Sequence, residues 1–235
     1  MNRPSLRFAV AVLIGVLGVW SGMHLYSKRA AARLHDSGIA VPAGEASAPT
    51  ASDFLPGFDA PISPPAKIPE RLPEFSLQDR DGKATSIKAW SGKSLVINFW
   101  ATWCAPCRRE IPLLKTLHSE WAARNVAVVG IAVDHRDEVL AYAQQLGIPY
   151  PLLIGEQDAL DAAAAFGVES PAFPFTVFTD RRGEVVALYM GELHKAQADL
   201  ILGVVQTLNQ DQVDLPGARR TIAAGLRALR EPSSG

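Results

Sequence analysis

The sequence contains very little cysteine. Its 235 residues include two, Cys104 and Cys107, and only Ala105 and Pro106 separate them. A chain with so few thiols has no framework of structural disulfides, so this pair is either redox-active or part of a metal site. Attachment of haem to Cys-x-x-Cys needs a following histidine, and Arg108 at that position excludes it.

The sequence also lacks a strong net charge. Its formal net charge is -1, from 23 basic and 24 acidic residues, so no general field attracts nucleic acid. We therefore expect no nucleic-acid partner. Apolar residues make up 48% of the chain, which is ordinary for a globular protein with a sizeable core.

Histidine is scarce as well. Outside the N-terminal segments, only His118, His135 and His194 are available, with no metal-ligand spacing among them. A structural zinc site normally has four ligands, so we predict neither a metal site nor a cofactor. The alternative left open is an assembly module that holds Cu(I) or another metal through Cys104 and Cys107, since soft thiolates suit copper.

The N-terminus contains one long run without charge. Residues 8–26 have no Lys, Arg, Asp or Glu, and Arg3 and Arg7 precede them. At about 1.5 Å per residue, a helix of this length nearly spans a hydrocarbon layer of about 30 Å. We predict a transmembrane signal-anchor helix at residues 8–26 after a short n-region at residues 1–7. The alternative is a cleaved signal peptide, with residues 30–32 (Ala-Ala-Ala) as its cleavage site.

The remaining chain divides by composition. Residues 27–70 are rich in Pro, Ala and Ser without a sustained period, which predicts a flexible tether. Residues 71–210 alternate strand-like and helix-like segments, which predicts a sheet with parallel neighbours covered on both faces. Residues 211–235 form a C-terminal extension with a helix predicted at 218–229. We favour a terminal helix with a solvated basic face, and the alternatives are that it packs on the domain or contacts lipid headgroups.

Individual elements follow from local patterns. A hairpin is predicted around the turn sequence Asp79-Arg80-Asp81-Gly82, and another around Arg181-Arg182-Gly183. Short apolar runs predict strands, and helical spacing of apolar residues predicts helices. The predicted strands are 74–78, 84–87, 94–100, 126–133, 150–154, 175–180 and 184–190, and the predicted helices are 105–123, 136–146, 157–166 and 195–208.

The cysteines occupy a strand-to-helix junction. There, unpaired backbone N–H groups and the helix dipole stabilise the thiolate of Cys104, which is the form that attacks disulfides. Cys107 lies one helical turn further on, where its sulfur can be adjacent yet more buried. We therefore expect Cys104 to attack and Cys107 to resolve. Pro106 is tolerated in the first helical turn and stiffens the ring.

Residues 98–112, Asn-Phe-Trp-Ala-Thr-Trp-Cys-Ala-Pro-Cys-Arg-Arg-Glu-Ile-Pro, resemble the signature of the TlpA/ResA-like thiol-disulfide oxidoreductases. The resemblance covers residues 73–209. It implies an α/β fold of the thioredoxin-like type, with a central mixed sheet flanked by helices, an N-terminal hairpin and a TlpA-type insertion. It also implies a periplasmic or equivalent extracytoplasmic domain on a single-pass anchor in the cytoplasmic membrane. The N-terminus would then be cytoplasmic.

The resemblance implies specific roles at the site. Cys104 and Cys107 form the redox disulfide, and Glu110 is the active-site glutamate that relays protons or tunes the thiols. Asn98 occupies the position at which thioredoxin has a buried Asp. Pro174 matches the proline that follows a cis peptide bond, with Pro171 as the weaker alternative for that position.

Residues around the cysteines are the expected substrate contacts. They are Trp103, Ala105, Pro106, Phe173 and Pro174. The backbone at residue 173 would pair with an extended substrate segment. Residues 167–173 are about two residues longer than the usual approach to this proline, so substrate specificity is expected to reside there.

The resemblance favours a reductase of protein disulfides, with oxidation as the alternative direction. Implied substrates are disulfide-containing envelope proteins such as cytochrome c apoproteins or copper-site assembly proteins. An integral-membrane thiol carrier would supply electrons. A peroxidase is disfavoured, because Thr102 stands two residues before Cys104 rather than three.

Overall fold

The computed structural model describes residues 68–168 and 172–230. The predicted membrane helix at 8–26, most of the predicted tether and the alternative proline, Pro171, lie outside these ranges. Among the residues that it does describe, no helix combines the length and apolar character needed to cross a membrane.

Helices and strands alternate along the described chain. In order, they are β1 (Ser76–Asp79), β2 (Ala84–Ser86), β3 (Ser94–Trp100), α1 (Ala105–Trp121), β4 (Val126–Val133), α2 (Arg136–Leu146), β5 (Leu152–Gly155), α3 (Gln157–Ala165), β6 (Phe175–Thr179), β7 (Val185–Met190), α4 (Lys195–Asn209) and α5 (Leu215–Ala228). Short 3₁₀ turns occupy Ile87–Trp90 and Ala122–Arg124. Every predicted strand and helix within the described ranges is present, with ends that differ by a few residues.

Within the described residues, the strands form one mixed sheet in the order β2-β1-β5-β4-β3-β6-β7. Strands β3, β4 and β5 are parallel, whereas the outer pairs are antiparallel. The predicted thioredoxin-like arrangement of a mixed sheet flanked by helices is thus confirmed. The first hairpin closes through Gly82, whose φ of 80° is a left-handed conformation that glycine adopts without a steric cost.

The core lies on both faces of the sheet. All seven residues of β3 are buried, as expected for a central strand covered on each side. One apolar cluster joins buried side chains of α1, α2, α4 and α5, and it includes both cysteines. The other cluster contains the alanines of α3 together with Ile87 and Phe166. The end of β3 is therefore held in a close-packed core, and the cysteine segment follows it directly.

The C-terminal helix packs on the domain. It begins at Leu215, three residues earlier than the pattern predicts, because Asp214 caps it by accepting the N–H of Gly217 at 2.8 Å. Pro216 lies in the first turn, where a missing N–H costs no hydrogen bond. Ala218 and Ile222 are buried, and α5 contacts both α4 and β7. One face of this helix thus packs on the domain, while Arg220 and Arg227 are exposed, as expected for a solvated basic face.

Candidate active site

Cys104 is the N-cap of α1, directly after the loop that leaves β3. Its Sγ accepts the backbone N–H of Cys107 at 3.3 Å. The first N–H groups of a helix have no intrahelical partner, so a sulfur at this position is stabilised when it carries negative charge. Pro106 occupies the first turn, as predicted from the sequence.

Cys104 and Cys107 are joined by a disulfide, with the two Sγ atoms 2.01 Å apart. The two residues differ in access: 5% of Cys104 is exposed, whereas Cys107 is fully buried. A reaction partner can therefore approach the pair through Cys104. Of the residues between them, Ala105 is exposed and Pro106 is half-buried.

Glu110 lies one helical turn beyond Cys107 and is buried, with 2% of its surface exposed. Its Oε1 accepts a hydrogen bond from the Asn98 side-chain amide at 2.7 Å. Its Oε2 accepts one from the backbone N–H of Leu193 at 2.9 Å. Burial raises the pKa of Glu110 to about 7, although both hydrogen bonds act to lower it and the nearby Glu192 adds a small upward effect. This carboxyl group can thus gain or lose a proton near neutral pH.

The Asn98 amide connects Glu110 to the neighbouring strand. Its Nδ2 also lies 3.1 Å from the hydroxyl oxygen of Thr176 on β6. Among the described residues, its Oδ1 has no hydrogen-bond partner. An amide carries both a donor and an acceptor, so rotation about its terminal bond would let Asn98 accept from protonated Glu110 or donate to the ionised form. An aspartate at this position lacks the donor and would repel the ionised carboxylate.

The loop before β6 lies beside the cysteine segment. The Phe173–Pro174 peptide bond is cis, as the resemblance implies for position 174. The rings of Phe173 and Trp103 meet edge to face with centroids 6.1 Å apart, and Phe173 also stacks on Phe175 at 6.3 Å. Trp103 is 67% exposed, which is rare for a residue of this size and leaves an apolar surface next to Cys104.

Several residues at the site were not identified from the sequence. Asp134, at the end of β4, accepts hydrogen bonds from the backbone N–H of Thr102 at 3.0 Å and from its hydroxyl, so it fixes the loop that precedes Cys104. Its position was open to inference, because the carboxyl ends of parallel strands β3 and β4 meet at one edge. Arg109 forms an ion pair with Glu192 at 2.6 Å. Nothing in the local sequence indicates that contact, because 83 residues separate the partners.

Potential metal ligands do not cluster in the described parts of the chain, where no group of three or more His, Cys, Asp or Glu side chains could hold an ion. His118 instead packs near the ring of Tyr150, at 6.2 Å between centroids, and His135 lies 3.2 Å from Glu156. The described site contains the Cys104–Cys107 disulfide and, one helical turn further on, the buried carboxyl group of Glu110.

The chain is similar to several known proteins. Residues 68–189 match the model of the AhpC/TSA family. The thioredoxin-like protein YneN of Bacillus subtilis is 32% identical over 134 residues, which cover 55% of this chain and 75% of YneN. The thiol-disulfide oxidoreductase ResA of Geobacillus thermodenitrificans is 31% identical over 124 residues, covering 52% and 69%. A solution structure of a candidate thioredoxin from Neisseria meningitidis superposes with a TM-score of 0.53 at 26% identity, covering 62% of this chain and 95% of that one.

The matched region includes the cysteine pair, Glu110 and the cis-proline loop. Both the family model and the curated relatives cover enough of the chain to fix its membership. The chain belongs to the AhpC/TSA family and, within it, to the TlpA/ResA-like thiol-disulfide oxidoreductases of thioredoxin fold.

Proposed function

We propose that this enzyme is a membrane-anchored reductase of protein disulfides on the extracytoplasmic side of the cytoplasmic membrane. The observation that carries the proposal is the asymmetry of the cysteine pair. Cys104 caps a helix and keeps 5% of its surface exposed, whereas Cys107 is fully buried. One sulfur is thus suited to attack a partner and the other to resolve the mixed disulfide.

In the reduced enzyme, the Cys104 thiolate attacks one sulfur of the substrate disulfide. A Cys104–substrate disulfide forms, and the first substrate sulfur leaves as a thiolate. The Cys107 thiol then loses its proton and attacks Cys104 Sγ, which forms the Cys104–Cys107 disulfide and releases the second substrate thiolate. Two electrons pass from the dithiol to the substrate, and the two leaving thiolates take up protons.

Glu110 is the proposed proton acceptor for Cys107. The two residues are three positions apart on α1, so their side chains are neighbours on one helix face. A carboxyl group with a pKa of about 7 is well matched to proton transfer near neutral pH. The same group would later return the proton to a departing thiolate.

The proposed substrate contact surface consists of Trp103, Ala105, Pro106, Phe173 and Pro174. Trp103 and Ala105 are exposed, and Phe173 supports the Trp103 ring from the side. The backbone at residue 173 would add an extended substrate segment as a strand. An apolar, aromatic wall next to Cys104 favours substrates that present apolar residues beside their disulfide.

Anchoring, location and partners are proposed from the sequence. The uncharged run at residues 8–26 and the tether to residue 70 would keep the domain at the membrane surface. The reductase direction and substrates of the cytochrome c or copper-site assembly type follow from the resemblance, and an integral-membrane thiol carrier would regenerate the dithiol. Membrane fractionation and protease accessibility in spheroplasts test the location, and a fully soluble or protease-protected domain would overturn it.

Trapping of the mixed disulfide tests the exchange mechanism. A Cys107→Ser variant of the full chain, mixed with a peptide that contains one disulfide, should accumulate a one-to-one adduct that dithiothreitol removes. The matched Cys104→Ser variant should form none, because its remaining thiol is buried. Equal adducts on both variants would contradict the assignment of attacker and resolver.

A further inference from the structure

Three consecutive residues after β7 each contact a different part of the active site. The N–H of Gly191 donates to the carbonyl of Pro174 at 2.8 Å and so continues the pairing of β7 with β6 by one residue. Oε2 of Glu192 accepts from Nε and Nη2 of Arg109 at 2.9 and 2.6 Å. The next residue, Leu193, donates its N–H to Glu110. We call residues 191–193 the connector.

The two contacts of the connector with α1, one through the Glu192 side chain and one through the Leu193 backbone, are in register. Arg109 and Glu110 are neighbours on α1, and Glu192 and Leu193 are neighbours on the connector, so adjacent residues pair with adjacent residues. Gly191 has a φ of 93°, a left-handed conformation that turns the chain from β7 toward α1. The connector therefore joins the cis-proline loop and the buried carboxyl group through one short, directed segment.

The ion pair between Arg109 and Glu192 is partly exposed, so it matters more for the position of the connector than for overall stability. The side chain of Arg109 is 61% exposed and that of Glu192 is 20% exposed. Ion pairs this close to water add little to overall stability. A guanidinium that donates two N–H groups to one carboxylate oxygen nevertheless fixes the direction of the segment that carries that carboxylate. The N–H that the pair would keep in place is that of Leu193.

We infer that Arg109 and Glu192 are positioning residues for Glu110: their ion pair holds the connector so that the Leu193 N–H stays on the buried carboxyl group. The inference rests on the proposed proton-transfer role of Glu110. It assigns a functional task to two residues that the sequence did not single out. It also ties the geometry of the Pro174 loop to the proton acceptor through the same segment.

The charged groups around Glu110 determine the direction of the expected effect. Glu192 raises the pKa of Glu110, and the Leu193 N–H lowers it. The pKa of Glu192 is itself lowered, first by its hydrogen bond with Arg109 and further by His194. Burial and then the charge of Glu110 raise the pKa of Tyr150, the other titratable group beside the carboxyl. Removal of Arg109 leaves Glu192 unpaired and frees the connector, and both changes push the pKa of Glu110 upward.

The test measures, as a function of pH, the rate at which a preformed Cys104–peptide mixed disulfide is resolved in the full chain. The ascending limb of this profile is the pH range in which the rate rises. Arg109→Gln should move the ascending limb of that profile upward by roughly 0.5 to 1 pH unit. Lys195→Gln removes a comparable exposed ion pair with Asp199 and should leave the limb unchanged. Amide hydrogen exchange supplies a second readout, in which the Leu193 N–H should exchange about tenfold faster in Arg109→Gln than in the wild type.

Glu110→Gln separates the two claims. If this variant loses the limb while Arg109→Gln keeps the wild-type profile and wild-type exchange at Leu193, the positioning role is wrong and the proton role stands. If Glu110→Gln retains the ascending limb, the proton-transfer role of Glu110 is wrong. The proposed positioning role of Arg109 and Glu192 is then wrong as well, because it depends on that role. The inference stands when both variants change the limb and only Lys195→Gln does not.

Discussion

The side-chain amide of Asn98 donates a 2.7 Å hydrogen bond to Oε1 of Glu110, beneath the cysteine pair. Both groups are buried, and they join the central strand β3 to helix α1. Both partners are shielded from water, and the amide lowers the pKa of Glu110, which burial raises. The buried carboxyl group and its amide partner form the polar centre of an otherwise apolar core.

Replacement of Asn98 by Leu should raise the pKa of Glu110 above about 7, because it removes a hydrogen bond that favours the ionised carboxylate. The pH profile of mixed-disulfide resolution should therefore move upward. Thr176→Val is a matched control, since Thr176 shares the Asn98 amide without contacting Glu110, and it should move the profile less. In a Glu110→Gln background, Asn98→Leu should no longer move the profile. A shift as large as that in the wild-type background would contradict this explanation.

Glu110→Gln should stabilise the folded protein at alkaline pH. The pKa of Glu110 is higher in the folded chain than the ordinary 4.5, so the folded state binds a proton more tightly than the unfolded state. The contribution of Glu110 to stability is then most favourable below pH 4.5 and becomes less favourable as the pH rises to about 7. A shift of the Glu110 pKa from 4.5 to about 7 corresponds to roughly 3 kcal/mol of folding free energy. At pH 8 the Glu110→Gln variant should be more stable than the wild type by about that amount.

Urea unfolding of the oxidised protein at pH 4 and pH 8 measures this difference. The free energy of unfolding of Glu110→Gln should exceed that of the wild type at pH 8 and lose that advantage at pH 4. Glu74→Gln, which alters an exposed carboxylate on the surface, serves as the control and should show no such pH dependence. A gain of equal size at both pH values would show that packing, rather than charge burial, is responsible.

Trp103→Ala should weaken turnover of protein disulfides without unfolding the domain. The side chain is 67% exposed, so its loss should change the free energy of unfolding by no more than about 0.5 kcal/mol. We expect kcat/KM for a protein disulfide to fall about tenfold, which is typical of an aromatic contact residue. Reaction with a small-molecule disulfide should be unaffected, and Leu229→Ala, another exposed apolar position, should change neither rate. Equal losses with both substrates would place Trp103 in the chemistry rather than in binding.

Asp134→Ala should loosen the loop before Cys104. It would leave the Thr102 N–H without its acceptor and also that of His135, which donates to Oδ1 at 2.8 Å. Losing such partners typically costs about 1–3 kcal/mol, measurable by urea unfolding. Asp81→Ala, on the exposed turn of the first hairpin, is the comparison and should cost less. If the two variants lose the same free energy of unfolding, Asp134 does not hold the loop before Cys104.

Much of the fold was predictable because buried strands carry a strong local signal. The runs at 94–100 and 126–133 are short, apolar and β-branched, and both have the predicted bounds. Ends set by individual residues were less predictable. Strand β5 begins at Leu152 rather than at Tyr150, since Pro151 has no N–H to donate to the sheet. The start of α5 was missed although Asp214 followed by a proline is a helix-start signal.

From helical spacing alone, the site was predictable only where its residues are close in sequence, and the Pro174 loop was predicted through the family resemblance. Cys104, Cys107 and Glu110 fall within two turns of one helix, so their proximity follows from helical spacing. The partner of Glu110 on the connector, Leu193, is 83 residues away and acts through its backbone, which no side-chain pattern reveals. Tertiary packing alone brings such groups together.

The reduction potential of the Cys104–Cys107 couple, measured on the purified chain by equilibration with glutathione at pH 7, tests the proposed reductase most directly. A reductase should have a potential below about -220 mV, in the range of thioredoxin and the more reducing glutaredoxins. A value near -120 mV, typical of a strong oxidant, would contradict the proposed direction of electron flow.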